Sequence, residues 1–120
     1  MTILVVDDVE FVRSLCKLAL EANGHEVILA EDGATGLELF LRNAGRIGLS
    51  LIDLRLPGIE GFDLARQMRA VNPAANIVLM SGGNARSSVP SDLAADCGVL
   101  DKPFTVPALK ALVSERLQMN

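Results

Sequence analysis

Polar residues that could do chemistry together follow several short apolar runs, each at the point where its run ends. They are, in chain order, Asp7, Asp8, Asp53, Ser81, Asp101 and Lys102. If the runs are strands of one parallel sheet, their carboxyl ends meet at the same edge of that sheet. Carboxylates, a hydroxyl and an ammonium would then surround a single crevice.

Each of these residues also has a purely structural interpretation. Asp8 can cap the helix that follows it, and Ser81 before two glycines can be an ordinary turn residue. Lys102 can belong to a surface turn with Pro103. Asp53 is harder to explain in this way, because it ends an apolar run instead of opening a polar loop. The joint pattern therefore favours a functional site over separate structural roles.

Clustered carboxylates impose an electrostatic requirement on such a crevice. Two of them about 5 Å apart repel by roughly 3 kcal/mol at an effective dielectric constant near 20. Three must therefore bind protons, move apart or hold a cation, and oxygen ligands favour a hard divalent ion such as Mg²⁺. One carboxylate can then act as a nucleophile on a phosphoryl donor. Lys102, the Ser81 hydroxyl and the backbone at Gly82 and Gly83 are candidates to bind the transferred oxygens.

The elements that must position these residues can be read from hydrophobic periodicity. Consecutive aliphatic residues, typical of strands buried on both faces, occur at 3–6, 27–30, 49–52, 77–80 and, more weakly, 99–100. Amphipathic segments separate the runs. This alternation predicts an α/β fold with a five-stranded parallel sheet. For a chain of this length the doubly wound order 2-1-3-4-5 is the natural choice, because it is a common order among such folds.

Helical stripes predict which side chains pack on the sheet. For the first, second, third and fifth helices they are Phe11, Leu15, Leu18, Ala19; Leu37, Leu39, Phe40, Leu41; Phe62, Leu64, Ala65, Met68; and Leu109, Leu112, Val113, Leu117. Gly24 ends the first helix, the second ends before Gly45, and the third ends before Pro73. Thr105 is the predicted N-cap of the fifth.

The fourth connection has a different composition from the others. Residues 82–88 have the glycine and serine content of a loop, and Pro90 is tolerated only in the first turn of a helix. A short or irregular fourth helix is expected near 90–97, entered through a flexible segment.

Composition limits the remaining possibilities. A chain of 120 residues, half of them hydrophobic, predicts one domain over 1–120. The net charge of −4 argues against a nucleic-acid surface, and no apolar run has the length of a membrane span. Asp7 and Asp8 interrupt the first run, which argues against a signal peptide, so a cytoplasmic protein is expected. Cys16 and Cys97 are expected to be small buried side chains.

Four stretches of the chain, taken together, are similar to a known family. They are residues 3–8 (ILVVDD), 53–61 (DLRLPGIEG), 78–82 (VLMSG) and 102–104 (KPF). In this order and spacing the sequence resembles bacterial two-component response-regulator receiver domains over essentially its whole length. The resemblance implies a flavodoxin-like receiver fold and a signalling role without enzymatic turnover, apart from the domain's own phosphoryl transfer and slow autodephosphorylation.

The resemblance also assigns roles to individual residues. It implies that Asp53 takes a phosphoryl group from a phosphohistidine on a sensor kinase or a histidine phosphotransfer protein. Asp8, Asp53 and the Arg55 carbonyl would hold Mg²⁺, with Asp7 contributing mainly through water. Lys102 and Ser81 would hold the phosphoryl oxygens, and the bond between Lys102 and Pro103 would be cis. Pro57 and Gly58 would turn the chain sharply after the acceptor.

Two features depart from the family's pattern. Receiver domains commonly carry Tyr or Phe three residues before the lysine, and its rotamer follows phosphorylation. Here that position is Val99, so the aromatic side chain that would couple Ser81 to the outer face is absent. The second departure is the irregular fourth connection. We hypothesise that it forms a mobile output surface that becomes ordered on phosphorylation.

Other functions fit the sequence less well. A phosphatase that forms an aspartyl-phosphate would carry an Asp-x-Asp motif after the first strand, together with a cap domain. This chain has Asp7-Asp8 at that place, and its length leaves no room for a cap domain. In a flavin-binding domain, these two aspartates would repel the phosphate of the flavin. A receiver-like interaction module that is never phosphorylated remains the main alternative. Met1 directly before the first run favours a natural N-terminus, and the signal passes either to a downstream protein or to an output domain beyond the C-terminus.

Overall fold

A five-stranded parallel sheet forms the centre of the chain. The computed structural model describes residues 1–82, 89–94 and 96–118. The strands, β1 to β5, are Thr2–Val6, Glu26–Ala30, Ile47–Asp53, Ile77–Gly82 and Gly98–Lys102. The helices, α1 to α5, are Glu10–Glu21, Gly33–Arg42, Gly61–Val71, Ser91–Ala94 and Val106–Gln118. The strand order is β2-β1-β3-β4-β5, which confirms the predicted topology.

Helices cover both faces of the sheet. Successive side chains of a strand point to opposite faces, so β1, β2, β3 and β4 each contribute to both core clusters. Ile3 and Val5 of β1 pack in the cluster that includes residues of α1 and α5, whereas Leu4 and Val6 pack in the cluster that includes residues of α2 and α3. All five residues of β1 are buried. This double burial explains why residues 3–6 of β1 form a continuous aliphatic run without alternation.

The predicted packing face of α1 is wrong in part. Phe11 and Leu18 are 72% and 73% exposed, and the buried residues of this helix are Cys16, Ala19 and Leu20. Val12 packs against the same core cluster. Positions 12, 16, 19 and 20 also fit a 3.6-residue period, so the helix presents this neighbouring stripe to the sheet.

The other helical stripes are mostly confirmed. In α2 Phe40 is buried, Leu37 and Leu39 are half-buried, and Leu41 is exposed, contrary to its prediction. The stripes of α3 and α5 pack in the core clusters, and Thr105 Oγ1 accepts a hydrogen bond from the Ala108 N–H at 3.1 Å. The free Cys16 and Cys97 are buried, as expected.

The fourth connection contains a helix of one turn, as predicted, which tertiary contacts hold in place. Leu93 of α4 is buried, and the Arg66 guanidinium of α3 bonds both Asp92 oxygens at 3.1 and 3.3 Å. Such contacts are necessary because an isolated helix this short is unstable. Gly82 belongs to β4 and not to the predicted loop. The rest of that loop, 83–88, lies outside the described residues, as does residue 95.

None of the helices in the described ranges is long and apolar enough to span a bilayer.

A close backbone approach fixes the position of α3 relative to the end of β3. A Cβ on Gly61 would lie 2.5 Å from the Asp53 carbonyl oxygen and 2.7 Å from the Leu54 Cα. The Gly61 N–H also donates to the Leu54 carbonyl at 3.2 Å. The absence of a side chain at Gly61 therefore lets the helix start directly against the backbone of Asp53.

Substituting Gly61 with alanine is expected to destabilise the domain. Both close atoms belong to the backbone and cannot rotate away, so Gly61→Ala should lower the free energy of unfolding by about 1–3 kcal/mol. The matched control is Gly82→Ala, where an added Cβ meets no atom within 4 Å in the part of the chain that the structure describes. Urea unfolding followed by circular dichroism suits a chain without Trp or Tyr. Equal losses in the two variants would contradict the steric explanation.

Candidate functional site

The carboxyl ends of four strands form one edge of the sheet, and an open crevice lies there. Asp7 and Asp8 follow β1, Asp53 ends β3, Gly82 ends β4 and Lys102 ends β5. The crevice has a volume of about 500 Å³ and is lined by Asp8, Val9, Asp53, Arg55, Gly82 and Lys102. The structure thus brings together most of the residues that the sequence placed at this edge.

Three carboxylates meet in this crevice. One oxygen each from Asp7, Asp8 and Asp53 lies within 4.8 Å of the other two. Asp7 is fully buried and Asp53 is 6% exposed, whereas Asp8 is exposed to solvent. At this separation each pair of ionised groups repels by about 3 kcal/mol at an effective dielectric constant of 20. The cluster therefore needs positive charge.

Lys102 supplies one positive charge to the cluster. Its Nζ donates to Asp7 Oδ2 at 2.6 Å and lies 3.4 Å from Asp53 Oδ2. Burial disfavours the ammonium, but the hydrogen bond to Asp7 and the charge of Asp53 outweigh it and raise the pKa of Lys102. The ammonium therefore stays charged while it lies between the two buried carboxylates.

The environment of Asp53 favours its protonated form. Burial raises the pKa of this carboxyl first, and the charge of Asp7 raises it further. Lys102 and a hydrogen bond from the Arg55 N–H to Asp53 Oδ1, at 3.3 Å, offset only part of the rise. The positive charge of Lys102 therefore does not fully compensate the burial of Asp53 and the negative charge of Asp7.

Asp7 is held by the protein from several directions. Its Oδ1 accepts the Val9 N–H at 2.8 Å, and its backbone carbonyl accepts a hydrogen bond from the Arg13 guanidinium at 2.8 Å. The direct bond between Asp7 and Lys102 was not predicted from the sequence, because the two residues are 95 positions apart. Arg13 was also missed as a supporting residue.

Ser81 lies beside the crevice but is not one of its lining residues. The side chain is fully buried, and its hydroxyl donates to Asp101 Oδ1 at 3.4 Å. Its role in binding a phosphoryl group therefore stays a prediction, and so does any coupling to Val99, which is half-buried in β5. Asp101, the acceptor of this hydrogen bond, had no assigned role at the sequence level.

The chain turns sharply after Asp53, as predicted. Gly58 adopts φ +82°, a conformation that side chains rarely reach, next to the exposed Pro57. This turn leaves Arg55 on the crevice wall, where its carbonyl remains a predicted metal ligand. The Lys102–Pro103 peptide bond is cis, as predicted.

An apolar hollow of about 350 Å³ adjoins the crevice. It is lined by Phe11, Val12, Leu15, Pro103 and Phe104, and it shares Lys102 with the carboxylate site. The exposure of Phe11 at this place accounts for part of the apolar surface that α1 leaves outside the core.

Comparison with known proteins identifies the family. The model of the response regulator receiver domain matches residues 3–114. The chain is 31% identical to the uncharacterized transcriptional regulatory protein YkoG of Bacillus subtilis, over 98% of this chain and 51% of that protein. It is 30% identical to the autoinducer 1 sensor kinase/phosphatase LuxN of Vibrio campbellii, over 99% of this chain and 14% of that protein. It therefore spans about half or less of these relatives.

A solved structure agrees with the architecture. The response regulator receiver protein from Sinorhizobium medicae superposes with a TM-score of 0.85 at 30% identity. The match covers 98% of this chain and 94% of that one.

Replacing Asp53 with asparagine is expected to stabilise the metal-free protein at neutral pH. A carboxyl whose pKa is raised by folding contributes stability below its unfolded pKa and loses that stability as the pH rises through the folded value. In EDTA at pH 7.5, Asp53→Asn should therefore unfold a few degrees above wild type. The difference should shrink towards pH 4–5, near the ordinary Asp range of about 3.9.

The control for this experiment is Glu115→Gln, which removes one negative charge at an exposed position of α5. It should change the unfolding midpoint little at either pH. If the unfolding midpoint of Asp53→Asn at pH 7.5 is equal to or below that of wild type, the ionised Asp53 carboxylate does not destabilise the folded protein.

Proposed function

We propose that this chain, which belongs to the response regulator receiver domain family, accepts a phosphoryl group on Asp53 as its signalling event. The proposal treats residues 1–120 as one receiver domain of a two-component or phosphorelay system. Its main support is the position of Asp53, a buried carboxylate at the end of β3 that lies between two other carboxylates and the Lys102 ammonium. A carboxylate in this position can act as the nucleophile, and Lys102 beside it can stabilise the charge that develops on the transferring group.

The donor set at the crevice suits Mg²⁺. Oxygen atoms of Asp7, Asp8 and Asp53 lie within 4.8 Å of one another, and hard oxygen ligands are those that Mg²⁺ prefers. Asp8, Asp53 and the Arg55 carbonyl are the proposed ligands. Asp7 contributes indirectly, since its two oxygens already bond Lys102 and the Val9 N–H. Bound Mg²⁺ supplies positive charge that stabilises the negative charge of the transferring phosphoryl oxygens.

The proposed step is a single displacement at phosphorus. A carboxylate oxygen of Asp53 forms the new O–P bond while the N–P bond of a phosphohistidine breaks, and the leaving imidazole nitrogen keeps the electron pair. Lys102, 3.4 Å from Asp53 Oδ2, is placed to bind one of the transferred oxygens. Open space above Gly82 allows the backbone there to approach another.

The proposed role is signalling and not enzymatic turnover, which membership of the receiver domain family favours. Water can reach the acyl phosphate through the same opening as the donor, and its hydrolysis would restore Asp53 slowly. Such autodephosphorylation sets the lifetime of the signal. The alternative of an interaction module that is never phosphorylated makes the opposite prediction, namely that no acyl phosphate forms.

The proposed partners follow from the chemistry of the donor. A sensor histidine kinase or a histidine phosphotransfer protein presents the phosphohistidine, and we expect the exchange to occur in the cytoplasm. The apolar hollow beside Lys102 offers such a protein a contact next to the acceptor. The phosphorylated surface then acts on a downstream protein or on a further domain of a longer chain. The net charge of −4 does not favour nucleic acid as a direct ligand of this domain.

Incubation with a small phosphoryl donor tests the acceptor. With Mg²⁺ and acetyl phosphate, wild type should gain the mass of one phosphoryl group, and EDTA should prevent the gain. Asp53→Asn should show none, because an amide is not a nucleophile of this kind. The matched control, Asp63→Asn, makes the same change at an exposed carboxylate of α3 and should be phosphorylated like wild type.

Intact-mass spectrometry reads all of these samples directly. An unchanged wild-type mass would favour the non-phosphorylated interaction module. An equal gain in Asp53→Asn would place the phosphoryl group on a different residue.

A further inference from the structure

We propose that Gly33, in the first turn of α2, is a positioning residue for the proposed metal site, because it seats the loop that carries the Arg55 carbonyl. That loop, residues 54–60, joins Asp53 to α3 and is called the acceptor loop below. The inference rests on the proposed function and adds to it a residue of α2, outside the set that lines the crevice.

The space that a side chain at position 33 would need is filled by Ile59 of the acceptor loop. Gly33 is buried, and a Cβ on it would overlap Ile59 Cγ2 and would lie 3.2 Å from Ile59 Cβ. Cγ2 is bonded directly to Cβ in a β-branched side chain, whose χ1 angle is restricted. A side chain at position 33 would therefore displace Ile59 and the loop with it.

The acceptor loop depends on such contacts for its position. Leu54, Leu56 and Ile59 are half-buried and pack on the core cluster that includes residues of α2 and α3. Arg55 lies between two of these residues and is itself exposed, and its N–H donates to Asp53 Oδ1 at 3.3 Å. The position of the Arg55 carbonyl is therefore set by how its apolar neighbours are seated.

The start of α2 is itself fixed relative to the carboxylates that follow β1. The Asp7 N–H donates to the carbonyl of Ala30, the last residue of β2, at 3.1 Å. One turn into α2, a Cβ on Gly36 would lie 2.8 Å from Cγ2 of Val6, the residue before Asp7. The helix thus contacts the end of β1 on one side and the acceptor loop on the other, so Gly33 fixes the loop relative to Asp7 and Asp8.

Mg²⁺ titration followed by NMR tests this role, at a temperature where every variant is folded. Alanine normally favours a helix more than glycine does, so a loss in Gly33→Ala has to come from the contact with Ile59. We expect Gly33→Ala to weaken Mg²⁺ binding about tenfold, the lower end of the range for residues that orient metal ligands.

The matched control is Val113→Ala, which removes buried apolar volume from α5 in the other core cluster. It should lower the unfolding midpoint, because it leaves a cavity. It should leave the affinity for Mg²⁺ nearly unchanged, because distant sites act independently. The pair of variants therefore separates positioning of the site from general loss of stability.

A double-mutant cycle identifies the contact that is responsible. Ile59→Ala removes Cγ2 and leaves Cβ 3.2 Å from the position of a Gly33 Cβ. It should weaken Mg²⁺ binding on its own, because the loop loses its seat on α2. In this background Gly33→Ala should add little.

Two outcomes would overturn the inference. One is a Gly33→Ala protein that binds Mg²⁺ as tightly as wild type, and the other is an effect of Gly33→Ala that persists unchanged in the Ile59→Ala background. A wild-type protein that binds no Mg²⁺ would instead refute the proposed metal site itself.

Amide exchange in the metal-free protein tests the seating of the loop independently of Mg²⁺. The Arg55 N–H should exchange several-fold faster in Gly33→Ala than in wild type, because the loop opens locally more often. Val113→Ala does not touch the loop and should leave this rate unchanged. Equal rates for Arg55 in wild type and Gly33→Ala would contradict the role of Gly33.

Discussion

The ammonium of Lys102 lies between two buried carboxylates, 2.6 Å from Asp7 Oδ2 and 3.4 Å from Asp53 Oδ2. With Asp8 at the same site, three negative charges surround one positive charge. Burial and the charge of Asp7 both raise the pKa of Asp53. A divalent cation bound here, as we propose, would offset this excess of negative charge.

The parallel sheet brings these charged residues together. Asp7, Asp53 and Lys102 are far apart in sequence, yet β1, β3 and β5 deliver them to one edge because every strand runs in the same direction. Buried aliphatic side chains on both faces hold these strands rigidly. Gly61 lets α3 start against the backbone of Asp53, so the proposed acceptor is fixed by backbone packing as well as by its ion pair with Lys102.

The strand order was predicted from the usual topology of a doubly wound fold of this length. Periodicity in the sequence predicted the strands and the residues at their ends, because these depend on which positions are apolar. It failed for Phe11 and Leu18, since α1 carries two overlapping stripes and only tertiary packing chooses between them. It also missed the bonds from Lys102 to Asp7 and from Ser81 to Asp101. Spacing places a residue at a strand end, whereas the direction of its side chain depends on neighbours that are distant in the chain.

The dependence of stability on Mg²⁺ tests the charge balance of the crevice most directly. Thermal unfolding of wild type should shift upwards with Mg²⁺, and above saturation each tenfold increase should add about 1.4 kcal/mol to the free energy of unfolding. A variant that combines Asp8→Asn with Asp53→Asn should show little of this shift. An equal shift in both proteins, or none in wild type, would contradict a cation site built from these carboxylates.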